Sequence, residues 1–494
     1  MRLTELTREE TMADIEKEFL GRQVDWKGKY KAPPFTPRLK NVDLGTANIA
    51  GERYFSPAFM QQEWESVWKK TWQLVHRADV LEEPGAFYTH ELGKESFVFI
   101  RGNDDVIRGF YNVCRHRGNR LCQISEGYIE KFSCPYHGWQ WNIDGSLKKV
   151  ADPEFFRQFD NGIPKDDLAL VPVQVDIWEG YLWFNMDLDA GPLKEYLGDI
   201  GVHLESYDFE KSTLIDLQTF EWNGNWKHAW DAFNESYHFA ALHPNMVEIG
   251  EGHDIPIELH GVHSRMLNYN RTVSEVLDER DSWTDLRRRF MLSAEMKGTS
   301  PDLDAEQASV PEVLGKPIAA KDIHLHEIEY RRSIENETNL PYKQLNDEQL
   351  VHQYHYSFFP NTTFTQSADG GAIFRYRPHP LDPRKCYFDL FIVGILPEGT
   401  EVPERAEHKI HRFDDGIDYV KILEGTFDPA FAEVVGEDAS NMPTLQAGCQ
   451  SDSFKGSILG DQEIRLRHFH QMIDGFIDGT ITTNNLPAQD AFLD

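Results

Sequence analysis

"CRHRGNRLCQISEGYIEKFSCPYHGW" runs from Cys114 to Trp139 and holds three of the five cysteines in a chain of 494 residues. Its two ends carry related patterns, Cys114-x-His116 and Cys134-x-x-His137, with 17 residues between them. Each loop therefore offers one thiolate and one imidazole. Two chemistries accept two sulfurs and two nitrogens: a tetrahedral zinc ion, or a two-iron cluster with thiolates on one iron and imidazoles on the other. Zinc sites usually set cysteine beside cysteine and histidine beside histidine along the chain. A mixed pair on each loop suits the cluster better. Cys114 and Cys134 would share one iron, and His116 and His137 the other. Pro135 stiffens the second loop, while Gly118 and Gly138 permit turns that other residues resist.

The surroundings of this stretch have β texture. "AFYTHEL", "SFVFIR" and "VIRGFYNV" are short runs rich in β-formers, separated by Gly and by "GNDD", and "GYLWFNMD" at 180–187 closes the series. An all-β module over 72–190 is expected. Before it, Ser56-Pro57 reads as an N-cap with proline at the first helical position, and 1–71 as a helical arm. After it, 191–494 mixes strands with helices. "QYHYSFFP", "TTFTQS", "AIFRYRP" and "CYFDLFIVGIL" alternate as an antiparallel sheet would, and a last helix near 460–477 lines up Leu466, Phe469, Ile473 and Phe476. The charged segment 272–350 reads as a helical insertion.

Composition bounds the partners. The chain is 40% hydrophobic and 12% aromatic, which suits a globular protein, and carries a formal net charge of −32. That charge argues against nucleic acid or an anionic membrane as principal partner. No apolar run spans a bilayer, and the acidic N-terminus lacks a signal-peptide core, so a cytoplasmic protein is expected.

A second constellation lies in "NWKHAWDAFNESYHFAALHPN", Asn225 to Asn245. On one continuous helix Asp231, Asn234, Glu235 and His238 would form a polar stripe. His243 lies five residues beyond His238, about 140° round the helix and off that stripe. Pro244 disfavours helix at His243, so the helix can end near Ala241 and return His243 toward His238. Two histidines so placed resemble two arms of a 2-His-1-carboxylate iron site.

With both motifs on the page, "CRHRG…CPYHGWQWNIDGSL" closely resembles the Rieske 2Fe-2S motif of Rieske non-heme iron oxygenases, the aromatic ring-hydroxylating dioxygenase alpha subunits. Glu235-Ser-Tyr-His238-x4-His243 resembles their mononuclear iron motif. In the electron-carrier Rieske proteins each loop bears a further cysteine; here those positions hold Asn119 and Tyr136. The resemblance implies an α+β architecture: an all-β Rieske domain, then a catalytic domain whose curved antiparallel sheet wraps a long C-terminal helix, the helix-grip arrangement. It implies Cys114, His116, Cys134 and His137 as cluster ligands. It implies His238 and His243 as ligands of mononuclear Fe(II), with Asp438 from "VVGEDASNMPTLQAGCQS" as the third ligand and Glu437 as the near alternative. Asp231 and Glu235 are the candidate catalytic residues. Glu235, three positions before His238, stands where the family bridges to the cluster of a neighbouring subunit, with one carboxylate oxygen free to meet His137 of the next chain. The implied activity is that of a terminal oxygenase using O2 and externally supplied electrons for mono-hydroxylation, cis-dihydroxylation or oxidative demethylation of a hydrophobic small molecule, with an aromatic one expected. Electrons would come from a separate NAD(P)H-dependent reductase, directly or through a ferredoxin, and the assembly would be a homotrimer or α3β3. The competing class is a Rieske electron carrier or redox sensor without oxygenase activity.

Overall fold

The β-rich runs around the cysteine loops pair into a seven-stranded sheet. Its strand order is Gln73–Arg77, Tyr181–Asn185, Pro172–Trp178, Ile107–Tyr111, Glu95–Arg101, Ala86–Leu92 and Glu126–Tyr128. The inner strand Glu95–Arg101 is buried on both faces, which explains its unbroken "FVFI". A small three-stranded sheet, Phe132–Ser133, Gln140–Trp141 and Leu147–Lys149, carries the second cysteine loop in the hairpin between its first two strands. The first loop follows strand Ile107–Tyr111. A separate small core containing Phe110, Phe132, Trp139 and Trp141 buries Cys114 and Cys134. The computed structural model describes residues 43–159, 162–164, 166–243, 255–268, 323–400, 407–412, 416–427 and 429–487.

The later runs form an eight-stranded sheet. Its order is Ile257–His260, His263–Asn268, Gln353–Phe358, Thr362–Gln366, Gly370–Pro378, Cys386–Gly394, Thr213–Trp222 and Lys409–His411. Every pairing is antiparallel except the last. The C-terminal helix Ile464–Asp478 packs on this sheet and on the iron-motif segment. Phe469 stacks on Trp230 with centroids 3.7 Å apart, and Phe476 stacks on Phe359. Leu466, Phe469, Ile473 and Phe476 are all buried, as one apolar stripe requires.

The reverse face of the sheet is tied to the cysteine-bearing module by a buried ion triad. Asp389 accepts from Arg375 at 2.7 Å and from Arg377 at 2.6 Å. The arginines also donate to backbone carbonyls of the seven-stranded sheet, Arg375 to Leu74 at 3.1 Å and Arg377 to Glu91 at 2.9 Å. Burial alone would raise the Asp389 pKa, but the two guanidinium groups hold it well below the usual carboxylate range. One hydrophobic core runs continuously from the seven-stranded sheet into the eight-stranded sheet.

Ser56 caps the helix Pro57–Glu63 as the sequence suggests, with its Oγ accepting from the Phe59 amide. A π-helical turn, Trp64–Trp68, continues it. This part of the arm packs on the C-terminal part of the chain: Ile49 pairs with Ser457, and Tyr54 reaches His470. Residues 1–42 of the expected arm and 272–322 of the expected insertion lie outside the described residues. The rest of the insertion includes helices Ile323–Ile334 and Asp347–Val351. Among the described residues, no helix is long and apolar enough to cross a membrane.

Candidate metal centres

The two cysteine loops share one backbone design. In the first, Gly118 donates to the Cys114 carbonyl at 3.0 Å and Cys114 to Asn119 at 2.8 Å. In the second, Gly138 donates to Cys134 at 3.0 Å and Cys134 to Trp139 at 2.8 Å. Both closures need a left-handed residue, and Gly118 (φ 75°) and Gly138 (φ 70°) provide it. A side chain at either position would meet open space, so backbone conformation alone selects glycine. The result brings the two thiols into mutual electrostatic reach and sets the His116 and His137 rings edge to face, 4.7 Å between centroids. His116 stacks flat on Trp139, and its Nδ1 is buried without a partner.

A single zinc ion would draw four donor atoms to within about 3–4 Å of one another. The cysteine–histidine set is not so gathered. Among the described residues, the only such group with donors within 4.8 Å is His238, His243 and Asp438. Paired thiols and paired imidazoles, set further apart, fit two irons rather than one zinc.

That second group is built by a break in the helix. Asn225 caps helix Trp226–Phe233, accepting from the Lys227 amide at 2.9 Å. The helix then stops at Asn234 (φ −115°, ψ 16°), whose Nδ2 donates to Trp230 O at 2.7 Å. A short helix, Phe239–Leu242, follows. The expected continuous stripe from Asp231 to His238 is thus corrected: a turn at 234–238 separates them. The asparagine amide competes for the helix's own carbonyl and ends it. His243 does leave the helix, at φ −117° and ψ 59°.

The two imidazoles face each other, Nε2 to Nε2, at 3.2 Å. Asp438 projects from the helix Pro429–Gly448. Its Oδ1 lies 3.7 Å from His238 Nε2 and 3.6 Å from His243 Nε2. A circle through these three atoms has a radius of about 2.0 Å, the length of an ordinary metal–nitrogen or metal–oxygen bond. Asp438 is 1% exposed, and its Oδ1 has no hydrogen-bond partner. Three donors converging on one point, one of them a buried unpartnered carboxylate oxygen, fit a divalent cation.

Each imidazole is held from behind by a carboxylate. Glu235 accepts from His238 Nδ1, and Glu437 accepts from His243 Nδ1 at 2.6 Å. Both Nε2 lone pairs are thereby aimed at the shared point. Burial alone would lower the two imidazole pKa values. For His238 the Glu235 hydrogen bond and Asp438 outweigh burial, and for His243 Asp438 and Glu437 do, so both are raised. The alternatives at 437 and 438 therefore occupy different positions: Asp438 meets the Nε2 nitrogens, and Glu437 meets only an Nδ1.

One expectation about the acids is corrected. The second oxygen of Glu235 is not free, since it accepts from the backbone amides of Tyr237 and His238. Asp231 does not join the three-donor group. Its Oδ2 accepts from Tyr54 at 2.7 Å, and the same hydroxyl meets His470 Nε2 at 2.9 Å. Tyr54 and His470 come from opposite ends of the chain, and no spacing pattern links them. Asp231, Glu235, His238 and Asp438 line a cavity of about 760 Å³ shared with Phe454 and Glu463. Exposed Ile458 and Leu445 also line it.

Comparison with known proteins places both halves. The family model for the ring hydroxylating alpha subunit (catalytic domain) matches residues 204–479, and that for the Rieske 2Fe-2S domain matches 71–160. The carnitine monooxygenase oxygenase subunit of Acinetobacter pittii is 32% identical over 200 residues, 40% of this chain and 52% of that protein. The alpha subunit of biphenyl 2,3-dioxygenase from Rhodococcus jostii is 30% identical over 202 residues, 40% and 43% respectively. The chain thus spans about half the length of the curated relatives it matches. Among solved structures, a quaternary ammonium Rieske monooxygenase bound to L-carnitine aligns with a TM-score of 0.59 at 18% identity, covering 88% of this chain and 97% of that one. Naphthalene 1,2-dioxygenase with indole aligns at 0.59 and 17%, covering 89% and 94%. These likenesses show the fold: a Rieske domain followed by a curved antiparallel sheet around a C-terminal helix.

Proposed function

This chain belongs to the ring hydroxylating alpha-subunit family, and from that premise we propose that it is a terminal oxygenase that hydroxylates a small organic molecule. The observation that carries the proposal is the convergence of His238, His243 and Asp438 behind a Rieske module in the same chain. A pure electron carrier has no use for a second three-donor site.

In this reading Cys114, His116, Cys134 and His137 hold the 2Fe-2S cluster, and His238, His243 and Asp438 hold mononuclear Fe(II). When bound, the two groups supply one-electron transfer and dioxygen activation. The chain's own residues prepare the sites. Glu235 and Glu437 fix the tautomers of His238 and His243. Asp438 brings a buried negative charge that a divalent cation neutralises. Tyr54 and His470 hold the Asp231 carboxylate to one side of the ligand set.

A separate reductase supplies the electrons, and a head-to-tail trimer brings the cluster of one subunit toward the cavity that Glu235 lines in its neighbour. Two surfaces support such a ring. Tyr136, beside His137, is 55% exposed on the cluster tip, and Ile458 is 82% exposed at the cavity rim. Residues 72–190 and 191–494 then act as donor and acceptor halves, joined within one chain by the Asp389 triad. The cytoplasm is the expected compartment, since the five cysteines form no disulfide and the cluster needs free thiols.

Incorporation of 18O from labelled O2 into product tests the activity, using a generic reductase and substrates drawn from both quaternary ammonium and aromatic compounds. Label is expected in the hydroxylated product or, where a C–N or C–O bond is cleaved, in the aldehyde released, trapped by reduction before it exchanges with water. Consumption of electrons without labelled product from any class would contradict the oxygenase reading. For the cluster, Cys114→Ser is expected to abolish the visible absorption of the Rieske centre while the mononuclear site keeps its iron. Absorption spectra and iron analysis of the purified variant check this.

A further inference from the structure

Among the described residues, three arginines are 2% exposed or less: Arg265, Arg375 and Arg465. The first two have buried carboxylate partners, Glu258 and Asp389. Arg465, at the start of the C-terminal helix and 0% exposed, has none within 4 Å among the described residues. Its Nε donates to Ser264 Oγ at 3.0 Å, and one terminal nitrogen meets His355 Nδ1 at 3.2 Å. The other terminal nitrogen has no partner. His355 cannot offset the charge. Burial and the guanidinium itself hold that imidazole well below its usual pKa, so it is neutral and accepts. Arginine stays charged under all such conditions. A buried cation without a counter-charge is among the costliest features a core can carry.

The surroundings continue the same theme toward the three-donor site. Tyr376, on strand Gly370–Pro378, lies within electrostatic reach of both Arg465 and Asp438 and close to Thr363 and Asn234. Its hydroxyl, the Asn234 amide and the Thr363 hydroxyl form one buried polar cluster between the two charges. Ser264, Ser357 and Thr363 sit directly opposite one another on three adjacent strands. A hydrocarbon pocket needs none of these groups. A lone buried guanidinium, separated from the metal-binding carboxylate by polar side chains, lacks the counter-charge that an anionic guest would supply.

We propose that Arg465 anchors the anionic end of the substrate, which is therefore a small organic acid held by its carboxylate. The carbon to be oxidised lies on the Tyr376 side, toward Asp438. This rests on the reading of His238, His243 and Asp438 as the mononuclear site, and it narrows the substrate class from organic molecules in general to organic anions. A guanidinium fork matches a carboxylate in two parallel hydrogen bonds, and an amide of the same shape forfeits the charge-assisted pair.

The test is binding to the whole purified enzyme, read by thermal shift and calorimetry without turnover. The probes are formate, acetate, butyrate, benzoate and 4-trimethylammoniobutyrate at millimolar concentration, with butyramide, benzamide and choline as uncharged or cationic counterparts. At least one acid is expected to bind about tenfold or more tightly than its counterpart. Arg465→Met is expected to erase that preference while leaving cluster absorption and mononuclear iron content unchanged. Its melting temperature should stay level or rise, because a lone buried charge has gone. Arg465→Lys keeps the charge but loses the fork, and should bind acids with intermediate affinity. Stabilisation by none of the acids overturns the proposal. So does equal binding of acids and counterparts, or an acid preference that survives in Arg465→Met. A lowered melting temperature in both variants would mark Arg465 as structural and overturn it too. Iron content is read on the same samples. Acid binding to a protein that cannot take up mononuclear iron would fault the metal-site reading and leave the anchor standing.

Discussion

Asp438→Ala is expected to leave the cluster's visible absorption intact while removing the mononuclear iron, and product formation should fall with it. Among the described residues, Asp438 contributes the only carboxylate oxygen that faces both Nε2 nitrogens, and it is almost fully buried. Without it, two neutral imidazoles would have to hold a divalent cation with no opposing charge from the ligand set. Glu437→Ala provides the contrast. Glu437 orients His243 through Nδ1 and is more exposed. Loss of such a supporting group typically costs about 10–100-fold in metal affinity or activity. Asp438→Ala should exceed that range, and Glu437→Ala should fall within it. Iron analysis and turnover on the two variants, side by side, decide between the positions. If Glu437→Ala lost all mononuclear iron and Asp438→Ala kept it, the assignment would be reversed.

Glu235→Gln is expected to keep the cluster reducible and to keep mononuclear iron when iron is supplied in excess, yet to lose product formation by more than the about 100-fold upper range of a supporting role. The carboxylate sits between the His238 imidazole on one oxygen and two backbone amides on the other. Glutamine can satisfy one side only, because its NH2 must face either a backbone N–H or an imidazole N–H. Some loss of iron affinity follows from that conflict. Loss of turnover in iron-loaded protein would go beyond orientation and mark the negative charge in the cavity wall as part of the path between subunits. Glu235→Asp, which keeps the charge on a shorter arm, should recover part of the rate. Near wild-type turnover of iron-loaded Glu235→Gln would reduce Glu235 to a support for His238.

What could be read from sequence follows the distance along the chain over which each feature is built. The cysteine loops were legible because each loop is closed by local hydrogen bonds between residues at most five apart, and their glycines declare the turns. The histidine pair was legible for the same reason, with Pro244 marking where helix geometry ends. The break at Asn234 was not, because the stripe pattern also fits an unbroken helix and only the asparagine's competing amide ends it. Nor was the engagement of the second Glu235 oxygen, which depends on that same turn. Asp438 and Glu437 are adjacent acids in an acidic chain, and helix placement against His243 is what separates them. Tyr54, His470, Arg465 and Tyr376 lay beyond reach altogether. They meet across as many as 416 positions of sequence through strand register and helix packing, and no periodicity encodes those contacts.

The most direct measurement is the metal content of anaerobically purified wild-type protein, taken together with its low-temperature EPR spectrum. A Rieske centre in one module and a three-donor site in the other predict three irons per chain, two accounting for the reduced-cluster signal and one that Asp438→Ala removes. Two irons per chain with no further loss in Asp438→Ala, or a colourless protein with stoichiometric zinc, would contradict the account.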